Sequence, residues 1–300
     1  MPALEKVIRD FAPDIVVTDP MIYPAAIAAH RARAPWVAMS NSLNPVLDDE
    51  IRSDLLDTVE WLSPAREALF AAHGMQVNFR GCDMISPERT IAFTTREFVG
   101  REVPGVAMVG PSLPPDTRGD ETAFPWENIK SPAVFASFGS QIYHLPRLFR
   151  LLIEATRDSG FQLIVAVNEL LHSDEFARLP EHVIACHYAP QLALLPRVAA
   201  FVTHGGANSV MEALHFGVPL LISPVCNDQF HQAEFIRRAN VGRMLNLHTS
   251  GVSEVRETLN SLASDAGIRS AVAMIKGSYQ ADGAARAADL IEGLLRKGRR

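Results

Sequence analysis

Residues 199–217 constrain the fold more than any other stretch of the chain. Ala199-Ala200-Phe201-Val202-Thr203 is a short, apolar, partly β-branched run of the kind that forms a buried strand of a parallel sheet. His204-Gly205-Gly206 follows at once, and 207–216 then carries Val210, Met211 and Leu214 at helical spacing, with Gly217 as the stop and Pro219 just beyond it. The helix therefore starts at or next to Asn208, and the two glycines make the turn. Such a unit aims unpaired backbone N–H groups and the positive end of the helix dipole at the crevice beyond the strand ends, where anions bind.

The same alternation runs along the chain. Residues 3–11, 15–17, 22–33 and 36–38 read as helix, strand, helix and strand with short connections, the pattern of a parallel sheet covered on both faces. A longer helical region, 48–73, is interrupted near Ser63-Pro64, where proline can open a new helix. Strands at 90–94 and 106–109 close the first series. Residues 111–132 hold five prolines, a glycine and several polar residues without apolar periodicity, which marks a linker. A second series follows: strand 133–136, helix 146–159, strands 162–167 and 182–185, the strand and helix described above, strand 219–222, a helix opened by Asn227-Asp228-Gln229, strand 241–245, and three helical stretches after Val252. The expected domains are 1–112, a linker at 113–131, and 132–300, with the last helix able to pack back on the first domain.

Side-chain spacing gives the turn a chemistry. Asn208 and Glu212 are four apart and Ser209 and Glu212 three apart, so the three share one helical face, with His204 beside them at the strand exit. An imidazole, an amide and a hydroxyl can donate to phosphate oxygens, while a carboxylate one turn deeper can accept from ribose hydroxyls. Plainer readings exist for each residue. Asn208 or Ser209 can be an N-cap, Glu212 a capping-box partner or a solvated charge, and His204 a polar residue at a strand end. The second strand exit, at Asp228-Gln229, favours a site, because two consecutive exits then face one crevice.

Tyr188-Ala189-Pro190-Gln191, His204-Gly205-Gly206-Ala207-Asn208-Ser209, Glu212 and Asp228-Gln229 together resemble the signature of the family 1 glycosyltransferases. Thr94-Thr95-Arg96-Glu97-Phe98 and Val109-Gly110-Pro111 resemble its bacterial macrolide-type branch. The resemblance runs from Asp14 onward. It implies an α/β chain of GT-B type, two doubly wound Rossmann-like domains facing a cleft, and an inverting, metal-independent transfer from a UDP- or TDP-sugar to a hydroxyl of a small apolar natural-product acceptor, without a cofactor. Carried over by position, Tyr188 replaces the usual tryptophan that stacks on the base, Ala189 accompanies it, and Gln191 contacts base or ribose. His204, Gly205, Gly206, Asn208 and Ser209 hold the diphosphate, Glu212 the ribose, Asp228 and Gln229 the sugar hydroxyls, and Ser140 adds a phosphate contact. Gln229 resembles members that use glucose.

The two halves are unequal, about 110 residues before the linker and about 170 after it, although two doubly wound domains should be closer in size. The first domain is therefore expected to be incomplete. In the family, a histidine in the first loop is the base and an aspartate orients it. Asp19 resembles that aspartate, although it can also simply cap the next helix. The histidine has no counterpart in this sequence, and His30 lies too far along the following helix to replace it. A parallel sheet open at an internal strand would also expose unpaired backbone groups, so self-association or binding of an N-terminal fragment through that edge is expected. A non-catalytic sugar-nucleotide-binding or auxiliary protein is the alternative reading. An epimerase of similar architecture fits less well.

Composition narrows the partners. Of 300 residues, 48% are hydrophobic and 21% charged, enough for two domains with a sizeable core, and the net charge of −6 leaves only the short tail 296–300 as a basic cluster. Nucleic acid is not expected as a partner. No apolar run reaches membrane-span length and the first residues form a charged helix rather than a signal peptide, which points to the cytoplasm. Cys82, Cys186 and Cys226 are three and scattered, as in a reduced protein, and Cys186-His187 without a second ligand pair predicts no metal site.

Overall fold

The computed structural model describes residues 1–114, 123–139 and 145–298. They fall into two compact units, Met1–Ser112 joined by the chain from Ala281 onward, and Leu113–Gln280.

In the first unit, four parallel strands lie in the order β1 (Val16–Thr18), β2 (Trp36–Ser40), β5 (Arg89–Ala92), β6 (Val106–Met108), while β3 (Asn78–Arg80) and β4 (Asp83–Ile85) form a separate antiparallel hairpin. Both faces of the four-stranded sheet are covered, which is why β2 reads as a continuous apolar run. Trp36 and Ala38 join Ile8 of α1 (Pro2–Phe11), Ala26–Ala29 of α2 (Tyr23–Arg31) and Phe70 in one cluster. Val37, one residue out of phase with them, packs with Ile91, Val109 and Ala287 of the terminal helix Gly283–Gly298 in the other.

The long helical region is two helices, α3 (Asp54–Trp61) and α4 (Ser63–Ala71). It starts later than residue 48 because Ser53 caps it, accepting from the Leu56 N–H at 3.2 Å. The break falls at Leu62, ahead of Pro64, as the sequence predicts. Helix α5 (Arg96–Val99) is a single turn ended by Gly100 at φ 81°.

The second unit carries six strands, all parallel, in the order β12 (Gly242–Met244), β11 (Leu220–Ile222), β10 (Ala200–Thr203), β7 (Ala133–Ser137), β8 (Gln162–Ala166), β9 (Val183–Cys186). The chain runs outward from β7 to β9, then returns to the centre and runs the other way from β10 to β12. The order therefore reverses between β7 and β10, the place where a doubly wound sheet opens a crevice at its carboxyl ends. The helices are α6 (Pro146–Thr156), α7 (Gln191–Leu194), α8 (Ala207–Phe216), α9 (Gln229–Arg238), α10 (Val252–Ser264) and α11 (Ala266–Ser278).

Two features differ from the sequence reading. The second part of the proline-rich stretch is packed: Phe124 is buried against Trp126, whose ring carries the Arg197 guanidinium 4.7 Å from its centroid. The β3–β4 hairpin had no alternating signal, being three residues on each side with Asn78, Arg80 and Asp83 among them. Among the described residues no helix is long and apolar enough to cross a membrane.

Candidate functional site

The exits of β7, β8, β9 and β10 enclose a cavity of about 190 Å³ lined in part by Ser137, Gly139, Asn168, Tyr188, Gln191, Asn208 and Ser209. Its floor is set by the reversal of strand order, which leaves space over the central strands that no crossover fills.

The β10 exit builds one wall. Helix α8 begins at Ala207 with Gly206 as N-cap and no side chain capping it, so Asn208 and Ser209 sit in its first turn and the first N–H groups have no side-chain cap. The plain N-cap reading of Asn208 and Ser209 does not hold. Gly205 has φ 92°, and a Cβ there would stand 2.3 Å from Ile222 Cδ1, so this turn requires glycine.

The His204 ring is wedged between Gly139 and Gly206. A Cβ on Gly139 would be 2.9 Å from its Cε1, and one on Gly206 would be 2.8 Å from its Nε2. Burial pushes the imidazole down to about 4, opposed by a hydrogen bond with the Ser137 backbone. At neutral pH the ring is therefore uncharged and has a single N–H, for which the Ser137 carbonyl and a bound anion would compete.

One turn into α8, Glu212 is 2% exposed. It is neither a solvated charge nor a capping-box partner, since its Oε2 accepts from Gln191 Nε2 at 2.6 Å, while the same amide lies 3.4 Å from Ser209 Oγ. Gln191 opens α7 after its N-cap Pro190, which follows the half-buried Tyr188 and the buried Ala189. Tyr188, Ala189 and Gln191, named from the resemblance, and Asn208 and Ser209, named also from their spacing, line one cavity.

At the β11 exit, Asp228 precedes α9 and burial pushes its carboxyl above the ordinary range. Gln229 is turned inward. Its Oε1 accepts from Val225 N at 2.8 Å and Cys226 N at 3.1 Å, so in this structure it organises its own turn, a use that spacing could not reveal. Ser140 lies outside the described residues.

Asp19 belongs to the other unit. It is exposed at the β1 exit and its Oδ1 accepts from Met21 N at 2.8 Å, closing a turn ahead of α2, whose N-cap is Ile22. His30 is exposed on α2.

Two residues escaped the sequence reading. Asn168, just past β8, holds φ 49° and donates from Nδ2 to Gly139 O at 3.2 Å. The only sequence signal is an asparagine, which tolerates the left-handed region, directly after an apolar run. In the first unit, Asp83 is 1% exposed and accepts from Ser40 Oγ at 2.7 Å and Asn44 Nδ2 at 2.9 Å, tying the hairpin to the β2 exit. Among the described residues no group of three or more His, Cys, Asp or Glu is placed to hold a metal ion.

Residues 150–287 match the family described as erythromycin biosynthesis protein CIII-like, C-terminal domain. The chain is 28% identical over 309 residues to the NDP-glycosyltransferase YjiC of Bacillus subtilis (strain 168), a match covering 99% of this chain and 76% of that protein. It is 26% identical to the oleandomycin glycosyltransferase of Streptomyces antibioticus, covering 98% and 71%. In fold it is similar to the kitacinnamycin glycotransferase, with TM-score 0.81 and 24% identity over 98% of this chain and 79% of that one. The calicheamicin glycosyltransferase CalG4 gives TM-score 0.80 at 24% identity, covering 100% of this chain and 80% of that one.

Proposed function

We propose that this chain, which is similar to the macrolide-type family 1 glycosyltransferases, transfers a sugar from a nucleoside-diphosphate sugar to a hydroxyl of an apolar natural product with inversion and without a metal. The observation that carries the reading is the wall of the crevice at the β10 exit. A neutral, half-buried His204 stands beside the uncapped first turn of α8, with the buried Glu212 one turn further along.

In this reading the diphosphate lies against His204, Asn208, Ser209 and the N–H groups at the start of α8. The base lies against Tyr188, Ala189 and Gln191, and the ribose hydroxyls meet Glu212. As the acceptor oxygen attacks the anomeric carbon, the bond to the diphosphate breaks, and the helix terminus and His204 stabilise the charge that the leaving group gains. Fixed N–H donors and the dipole do for this charge what a cation would otherwise do. Asp228 lies beside the sugar. Asp19 orients the base that takes the acceptor's proton.

Gln191 already donates to Glu212 in the structure, so ribose binding shares or displaces that bond. The distinction between UDP and TDP donors follows from the same pair, because only a ribonucleotide brings a 2′-hydroxyl to it. We place the enzyme in the cytoplasm, and we expect β1, which among the described residues has a strand neighbour on one side only, to pair with a second copy of the chain. A monodisperse monomer in light scattering at micromolar concentration would remove that last element.

The deciding experiment is a thermal-shift panel of UDP, TDP and their sugars. A ligand that binds only the folded form raises its melting temperature, and no shift with any of them would overturn the donor assignment. The auxiliary reading draws on Asp19, which is exposed and whose carboxylate accepts from the Met21 N–H of its own turn. It predicts nucleotide binding without transfer, and rapid transfer to a phenolic acceptor, followed by mass spectrometry, would exclude it.

A further inference from the structure

Two strand exits meet at the imidazole of His204, those of β10 and β7, and a third, that of β8, braces the β7 turn; the last two lie outside the signature stretch. The β10 exit supplies the ring itself, with Thr203 Oγ1 3.4 Å from Nδ1. The β7 exit supplies the turn Ser137-Phe138-Gly139, in which Gly139 N donates to Ser137 Oγ at 3.3 Å and Gly139 takes φ 73°. Gly139 is so close to the ring that a methyl group in place of its hydrogen would overlap Cε1. The β8 exit supplies Asn168, whose backbone N–H donates to His187 O at 3.0 Å while its side chain reaches back to the Gly139 carbonyl. Asn168 is thus fixed at its backbone by the neighbouring β9 exit and at its amide by the β7 turn.

We propose that Asn168 is a positioning residue for the diphosphate site. By holding the Gly139 carbonyl it presses the 137–139 turn against the His204 ring, and so fixes the direction in which that ring donates to a bound phosphate. The inference rests on the donor-site reading of His204 and extends it to a residue twenty positions upstream of the signature's start at Tyr188. The left-handed backbone at Asn168 is part of the device. An alanine there would carry strain of its own, whereas glycine keeps the backbone and removes only the amide.

The groups facing the ring are Thr203, the Ser137 backbone, Gly139 and Gly206. Among the described residues no charged side chain displaces its titration. That titration therefore reports how well the turn excludes water.

The test uses the whole chain in four forms: wild type, Asn168→Gly, His204→Ala and the double variant. UDP and TDP titrations by calorimetry should show Asn168→Gly weakening binding roughly two- to ten-fold, the range for one neutral hydrogen bond. In the His204→Ala background the same change should cost almost nothing, because the residue acts through the ring. NMR titration of the His204 imidazole, which needs no ligand, should move from about 4 toward the ordinary histidine range in Asn168→Gly. Additive losses, or an unmoved titration in a folded Asn168→Gly chain, would overturn the proposal. A wild type that binds neither nucleotide would instead remove the donor reading, and the imidazole titration would still decide whether Asn168 holds the ring.

Discussion

The exits of β10 and β1 are comparable places, each a parallel strand handing over to a helix, and they are built differently. β10 is central, with β7 on one side and β11 on the other, and its exit holds a polar ring between its own Gly206 and Gly139 of the β7 turn. Among the described residues β1 has β2 on one side only, and its exit leaves Asp19 in water, followed by Met21 and Ile22 at 56% and 50% exposure. A side chain departs from its ordinary solution chemistry where neighbouring exits exclude water on both sides. Where one neighbour is lacking, the same topology yields an Asx turn.

That contrast can be broken most directly at Gly205. Gly205→Ala puts a side chain on a backbone at φ 92°, which resists one, and a Cβ against the fully buried Ile222, for a loss of about 2–4 kcal/mol of stability by urea denaturation. A loss under ~1 kcal/mol would mean that the exit is looser than its contacts imply.

Acidification gives the next largest effect. The folded His204 titrates near 4 and an unfolded one near 6.5, so the unfolded chain binds the extra proton between those values. Stability from this group is complete above pH 6.5 and is lost as pH falls toward 4, a change on the order of 2–3 kcal/mol. His204→Gln should flatten that part of the stability profile. A profile of unchanged slope would locate the acid sensitivity elsewhere.

His204→Ala should then weaken UDP or TDP binding by about 1.5–3 kcal/mol, the value of a hydrogen bond to a charged group. Calorimetry with unchanged affinity would remove the ring from the phosphate site. The smallest effect belongs to the other exit. Asp19→Asn should alter stability by under ~0.5 kcal/mol, as for an exposed side chain, and leave nucleotide affinity unmoved. A clear loss of affinity would show that the two exits do not act separately.

Much of this contrast could be read from the residues before any fold was seen. β10, Gly205, Gly206 and α8 follow from an apolar run, two glycines and helical spacing. The shared face of Ser209 and Glu212 follows from three-residue separation. Sequence order could not show what the sheet order does. β8 stands between β7 and β9, so Asn168 meets Gly139, a neighbour 29 positions away. The Asp83 network was hidden for a similar reason: a buried carboxylate held by Ser40 and Asn44 is indistinguishable in sequence from a solvated one. Gln229 was named for its place in a signature, whereas the direction of its amide depends on the turn that it closes.

The terminal helix has a consequence for how the molecule is made. Val37, Ile91 and Val109 complete their cluster only with Ala287, flanked by Leu290, Ile291 and Leu294. On the ribosome these partners are separated by the whole of the second unit, which emerges with its own six strands before they do. The first unit is therefore finished only after the second has emerged, and one face of its sheet stays uncovered until the helix Gly283–Gly298 arrives.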